Sequence, residues 1–366
     1  MEGKPKRTPL YERHQRAGAR MVTFGGYEMP VHYGSIINEV LAVRRGVGIF
    51  DVSHMGRLFF SGSSAQKDLD RLVTLNISTL SFGQVRYGFL CRDDGGILDD
   101  LTAFRLNEDQ FLLVVNAATR EKDVQHLVTY LSPQTHLHDQ TEETFMIAVQ
   151  GPDSLPLVDD LTHDATKPSR LRRFQGGLFS IAGVSVWVTR TGYTGEDGVE
   201  IVGPKEGAQC IWDQFLSAGA VPCGLGARDI LRLEAGFCLY GQDLTEEITP
   251  LEADLMRFVD LAKDFIGKES LVRRMEQGPK IKRVGLRLSS RSAPRPHSPV
   301  TDGHNQIGFV TSGSFSPHLN SSIGMAYLQA EKSHTGQDVW VLIRDQPVAA
   351  QVVAMPFLPL PSRKSS

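Results

Sequence analysis

Apolar residues recur along this chain at two spacings. Ala65, Leu69, Leu72 and Val73 share one helical face, as do Val124, Leu127, Val128 and Leu131, and then Ala208, Ile211, Trp212, Phe215 and Leu216. Ser63-x-x-Gln66 predicts a capping box at the start of the first helix, and Pro133 predicts the end of the second. Strands are predicted between them at QFLLVV, FMIAVQ and VSVWVTR, where Val184, Val186 and Val188 alternate with Ser185 and Trp187. From about residue 280 onward the pattern is almost all strand: RVGLRLS, QIGFVTS, IGMAYLQ, DVWVLIR and VAAQVVAMPF, separated by Gly, Asp, Asn and Pro turns. That order predicts an α+β body followed by a small all-β barrel or sandwich of about 85 residues, with a boundary near Gly278 to Lys282. The most linker-like segment is SSRSAPRPHSP, Ser289 to Pro299.

A length of 366 residues exceeds one ordinary core and favours two or three domains. The net charge of -3 supplies no global field for phosphate backbones or anionic lipid, so neither nucleic acid nor a membrane is an expected partner. The start, MEGKPKRTPLYERH, lacks the apolar centre of a secretion signal, and no apolar run approaches the ~18 residues of a membrane span; the expected setting is the cytoplasm. Cys91, Cys210, Cys223 and Cys238 form no Cys-x-x-Cys pair and read as reduced core residues. Phosphate-loop and dinucleotide signatures are missing, as is H-E-x-x-H, and His136-x-His138 in a polar stretch offers only two imidazoles. Asp51, Ser53 and His54 in FDVSHMG look like the parts of a triad, but neighbours on an extended chain diverge, so a structural or ligand-lining loop is the expectation.

Three dense stretches carry the candidate chemistry. In GGILDDL, a strand from Ile97 to Phe104 sends Asp99 and Asp100 to opposite faces. A carboxylate entering a core must accept backbone N–H bonds in the Gly95–Gly96 turn or face a pocket whose ligand supplies donors, and spacing leaves both readings open. In RTGYTGEDGVEI, Glu200 re-enters an apolar run behind a glycine-rich loop bearing Tyr193. It reads either as an exposed hairpin acid or as a carboxylate for the adjacent N–H donors of a heterocycle. In GLGARDILRLEAGFCLYGQDL, Arg228 and Arg232 stand four apart on a predicted helix, with Asp229 and Glu234 as ordinary partners or with a carboxylate or polar ring as ligand.

Taken in order, FGGYEMPVHY, GIFDVSHMG, GGILDDL, VVNAATREKD, QGP, RTGYTGEDGVEI, GLGARDILRLEAG-x-x-LYGQD, FVTSGSFSP and the closing MPF strongly resemble the aminomethyltransferases of the glycine cleavage system, the T-proteins, from Thr8 to about Phe357. The resemblance implies a three-domain cloverleaf of the folate-binding type, with two discontinuous α+β domains and a C-terminal all-β barrel. The body would occupy 1–280, as about 1–50 with 140–225 and about 51–139 with 226–280, and the barrel 281–366. It implies transfer of the one-carbon unit of the aminomethyl group on the lipoyl arm of H-protein to tetrahydrofolate, giving 5,10-methylenetetrahydrofolate and ammonia. Lipoylated H-protein and the other glycine cleavage components are the implied partners, and no metal, flavin or nucleotide is implied. Residue by residue, Asp100 matches the catalytic carboxylate, leaving Asp99 for the turn; Glu200 and Arg228 match the folate-binding acid and arginine; Met55, Tyr87, Asn116 and Tyr193 match pocket positions. Two departures stand out: Tyr27 replaces a usual tryptophan, and the end PFLPLPSRKSS lacks the tyrosine that touches the folate in the family. The same fold class includes folate-dependent demethylases of small methylated donors and non-catalytic folate-binding proteins, which are the alternative readings.

Overall fold

The structure is a computed structural model and describes residues 4–359. The C-terminal departure noted above lies partly outside those residues. The described chain forms two compact units. One takes the N-terminal residues to Leu90 with Asp100–Gly192 and Glu196–Arg228, and the other takes Cys91–Asp99, Tyr193–Gly195 and the residues from Asp229 onward.

The first unit is built on three sheets. A small one orders β1 (Lys6–Arg7), β3 (Tyr27–His32) and β2 (Arg20–Phe24). A six-stranded sheet runs β11 (Gly176–Ile181), β12 (Val184–Thr189), β13 (Gly198–Pro204), β10 (Thr144–Gln150), β4 (Gly48–Asp51) and β14 (Val221–Pro222). A five-stranded sheet runs β6 (Val85–Cys91), β7 (Ile97–Arg105), β8 (Gln110–Val115), β5 (Gly56–Ser61) and β9 (His136–Asp139). Each larger sheet therefore gathers strands distant in sequence. The six-stranded sheet buries alternate residues, among them Ile147, Val149, Val186, Val188, Val199 and Ile201, against the helix Ala208–Ser217, whose Ile211, Trp212 and Phe215 are fully buried. That helix follows the predicted stripe. The second unit contains a closed barrel in the order β15 (Ile281–Leu288), β18 (Ser321–Gln329), β17 (Gln306–Ser316), β16 (Pro299–Thr301), β19 (Asp338–Ile343) and β20 (Gln346–Val353). Leu286, Val300, Val310, Leu328, Val341 and Val352 fill it. Closure removes the free sheet edges that an open sandwich would leave.

The α+β assignment and the C-terminal barrel stand, with corrections in detail. The helix at Ala65–Leu72 starts without a capping box: Ser64 is its N-cap, and its side chain makes no capping bond. The helix at Arg120–Tyr130 buries Leu127 but leaves Val128 more than half exposed, so its apolar stripe is narrower than the spacing suggested. The linker-like Ser289–Pro299 is a loop inside the barrel, because the chain must cross from β15 to the short strand at Pro299.

Candidate active site

Asp100 lies on β7, between β6 and β8, and receives one donor from β6 and one from the residue that follows β8. Tyr87 on β6 donates its hydroxyl to Asp100 Oδ2 at 2.8 Å, and Asn116, just beyond β8, donates from Nδ2 to Asp100 Oδ1 at 2.8 Å. Gripping both oxygens fixes the carboxylate plane. The turn before β7 explains the paired glycines. Gly95 has φ +87°, and a Cβ on Gly96 would overlap the Glu246 carbonyl oxygen. The side chain that closes this turn is Asp94, accepting from the Gly96 N–H at 3.0 Å. Asp99, on the same strand, is completely buried.

Residues two apart on a strand share a face. Val85 shares one with Tyr87, Thr102 and Phe104 with Asp100, and Val114 with Asn116. Val85, Thr102, Phe104 and Val114 line a recess closed on its other side by Met146 of β10, Trp187 and Thr189 of β12, and Glu200 of β13. Tyr87 and Asp100 thus turn to the same sheet face as residues that line the recess beside Glu200. Phe104 and Trp187 meet edge to face, their centroids 5.6 Å apart, so the recess is walled by apolar and aromatic groups. Glu200 is half-buried on β13, opposite Thr189. Thr191 donates its hydroxyl to Glu200 Oε2 at 2.5 Å.

Met55 belongs to the loop between β4 and β5, which a buried arginine clamps. Arg57 Nη1 donates to the carbonyls of Ser53, at 2.9 Å, and of Met55; Nη2 donates to those of Thr141 and, at 3.0 Å, Thr144; Nε donates to Thr144 Oγ1 at 2.8 Å. Burial pushes its guanidinium down to about 10, and the ring of carbonyl acceptors keeps it satisfied. Sequence reading passed over this residue, although a lone charge in GRLFF was a visible signal. The triad resemblance of FDVSHMG dissolves as expected. Ser53 Oγ donates to the Met146 carbonyl at 3.0 Å, and Asp51 accepts from the Ser53 N–H at 2.9 Å, from Thr8 Oγ1 at 2.6 Å and from His14 Nε2 at 2.9 Å. Burial alone would raise the Asp51 carboxyl, but His14 and the other donors bring it down to about 2. His54 is buried beneath Phe24, their rings 5.6 Å apart, and burial together with the Arg228 charge pushes its imidazole down to about 3.

Tyr193 belongs to the second unit, where it stacks on Phe237 with centroids 5.9 Å apart and donates its hydroxyl to the Cys238 carbonyl. Arg232, its candidate twin Arg228 aside, is a structural cation: fully buried, it pairs with Asp229 at 2.8 Å and Asp243 at 2.6 Å. Among the described residues no group of three or more His, Cys, Asp or Glu is placed to hold a metal, and no helix is long and apolar enough to cross a membrane. A roomier surface cleft of about 510 Å³, touching Asn38, Arg45 and Asp153, shares no residue with this site.

Comparison with known proteins adds the family. Residues 10–263 match the GCVT N-terminal domain, and residues 282–358 match the glycine cleavage T-protein C-terminal barrel domain. The chain is similar to the aminomethyltransferase of Rubrobacter xylanophilus, 45% identical with 97% of this chain and 95% of that protein covered. It is also similar to that of Halothermothrix orenii, 41% identical with 96% and 100% covered. Among solved structures it resembles the glycine cleavage system aminomethyltransferase T of Bartonella henselae, 33% identical, with a TM-score of 0.91 over 97% of this chain and 98% of that one.

Proposed function

The chain belongs to the glycine cleavage T-protein family of aminomethyltransferases, and from that premise we propose which residues carry the reaction. The protein is a tetrahydrofolate-dependent aminomethyltransferase. In the proposed reading, the aminomethyl group arrives on the lipoyl arm of H-protein, working with the other glycine cleavage components in the cytoplasm. The one-carbon unit passes to tetrahydrofolate, and ammonia and the dihydrolipoyl arm leave. Tetrahydrofolate is a co-substrate, and the reading calls on no metal, flavin or nucleotide.

The observation that carries the site assignment is the grip on Asp100. Two neutral donors, Tyr87 and Asn116, each hold one of its two oxygens. Such a carboxylate can orient the attacking amine of the folate, stabilise the positive charge that develops on it, and take up the proton released afterwards. Glu200 would accept from the adjacent amino and ring N–H donors of a pterin, and the side chains lining the recess beside it are largely apolar and aromatic, as the wall of a flat ring requires. Met55 and Arg228, with Tyr193 from the loop before Glu200, complete the proposed folate set. The division into two α+β domains, about 1–50 with 140–225 and about 51–139 with 226–280, ahead of the barrel is proposed with it, supported by the way the two larger sheets gather their strands.

The test is reconstitution. Purified protein with tetrahydrofolate and aminomethyl-loaded H-protein should release ammonia, and Asp100→Asn should lose about 100-fold or more in kcat while keeping folate affinity within a few-fold. Demethylation of a small methylated donor without ammonia release would favour the demethylase alternative. Normal turnover by Asp100→Asn would remove the catalytic assignment.

A further inference from the structure

We propose that Thr191 is a positioning residue: its hydroxyl ties down one oxygen of Glu200, so that the carboxylate meets the pterin already oriented. This rests on the reading of Glu200 as the pterin-binding acid. Thr189 is the direct cross-strand partner of Glu200, and Thr191 follows two residues on, just past the end of β12. Thr189 Oγ1 and Thr191 Oγ1 are 2.7 Å apart, and Thr191 Oγ1 is 2.5 Å from Glu200 Oε2. An ionised carboxylate has no proton to give, so the single hydroxyl proton of Thr191 is committed to Glu200. The proton between the two threonines must then come from Thr189. The chain runs one way, from Thr189 to Thr191 to Glu200.

The backbone under this chain is fixed as well. Gln150, completely buried, donates from Nε2 to the Thr191 carbonyl at 3.1 Å and to the Val199 carbonyl at 3.3 Å, joining the loop to the strand that bears Glu200. A Cβ on Gly192 would overlap the Gln150 amide, which accounts for the glycine in RTGY. A glutamate has three side-chain torsions to order on binding, and losing a hydrogen bond to a charged group corresponds to roughly tenfold in affinity.

The experiment compares the full-length wild type with Thr191→Val, Thr191→Ser and Glu200→Gln. Tetrahydrofolate binding, steady-state kinetics and thermal melting are measured for each. Thr191→Val should raise Kd and KM for tetrahydrofolate about tenfold with kcat within about twofold, and Thr191→Ser, which keeps the hydroxyl, should restore both. The penalty should shrink for a folate lacking its 2-amino group, because the oriented carboxylate then meets one donor instead of two. A purely structural role would move kcat or melting and would not distinguish the two ligands. If Glu200→Gln weakens binding while Thr191→Val stays within about twofold of wild type, the positioning role is overturned and the pterin reading stands. If Glu200→Gln binds as wild type, both fall. Should Thr191→Val not fold, Thr191→Ala takes its place; a Kd within about twofold of wild type for that variant would overturn the proposal.

Discussion

Arg57 shows how much of the site depends on a side chain that touches no reacting atom. Its guanidinium satisfies the carbonyls of Ser53 and Met55 on one side and of Thr141 and Thr144 on the other, so the loop bearing Met55 is held to the segment that leads into β10. A lysine keeps the charge but offers a point donor where a planar fork is required. Arg57→Lys should therefore destabilise the protein by about 2–4 kcal/mol in urea denaturation and raise KM for tetrahydrofolate more than it lowers kcat. Arg57→Lys with wild-type stability would show that the carbonyl ring finds its donors elsewhere.

Among the elements, β7 carries the heaviest demand, because one strand must close a tight turn, enter the core and present a carboxylate to the cleft. Its start is tied down within the second unit: Ile97 N–H donates to the Ile248 carbonyl at 2.9 Å, and the Tyr240 hydroxyl donates to the Ile97 carbonyl at 2.9 Å. Gly96 leaves no room for a side chain against the Glu246 carbonyl, and backbone cannot yield as a flexible side chain can. Gly96→Ala should cost at least about 2 kcal/mol of stability and lower kcat, since any shift at residue 96 is passed along the strand to Asp100. Thermal melting and the ammonia assay together check this. One helix shows the limits of local pattern. The helix Arg120–Tyr130 needs only Leu127 and a few neighbours buried, and an amphipathic count gives Val128 the same weight although it faces solvent.

At the scale of the whole molecule, two buried groups make the first unit sensitive to acid. His54, with its pKa pushed down to about 3, stays neutral in the fold, but in the unfolded chain it binds a proton below about 6.5. The unfolded state then holds more protons, so stability falls as pH drops from about 6.5 towards 3. Asp51, held at about 2, acts in the same direction further down: its contribution is present above about 3.9 and is lost as pH falls through 2. Unfolding free energy measured between pH 7 and 4 should decline, with the His54 share on the order of 3 kcal/mol at pH 4. His54→Gln should flatten that part of the curve. A wild-type curve flat to pH 4 would show that the imidazole gains a proton without leaving the fold.

The run of residues by itself determined the elements whose burial is local and periodic: the helix under the six-stranded sheet, the alternating strand at Val184–Thr189, the barrel strands from Ile281, and the strand that turns Asp99 and Asp100 to opposite faces. Motif order then pointed to the family and, through it, to Asp100, Glu200 and Arg228. Only the tertiary structure decided that Asp94 accepts from the turn, that Arg57 and Gln150 hold the loops, and that Thr191 is bonded to Glu200. The reason is physical. Periodicity records which face a residue turns towards apolar surroundings, whereas a hydrogen bond depends on which distant strand arrives opposite. Here β4 and β10 are neighbours although about ninety residues of chain lie between them.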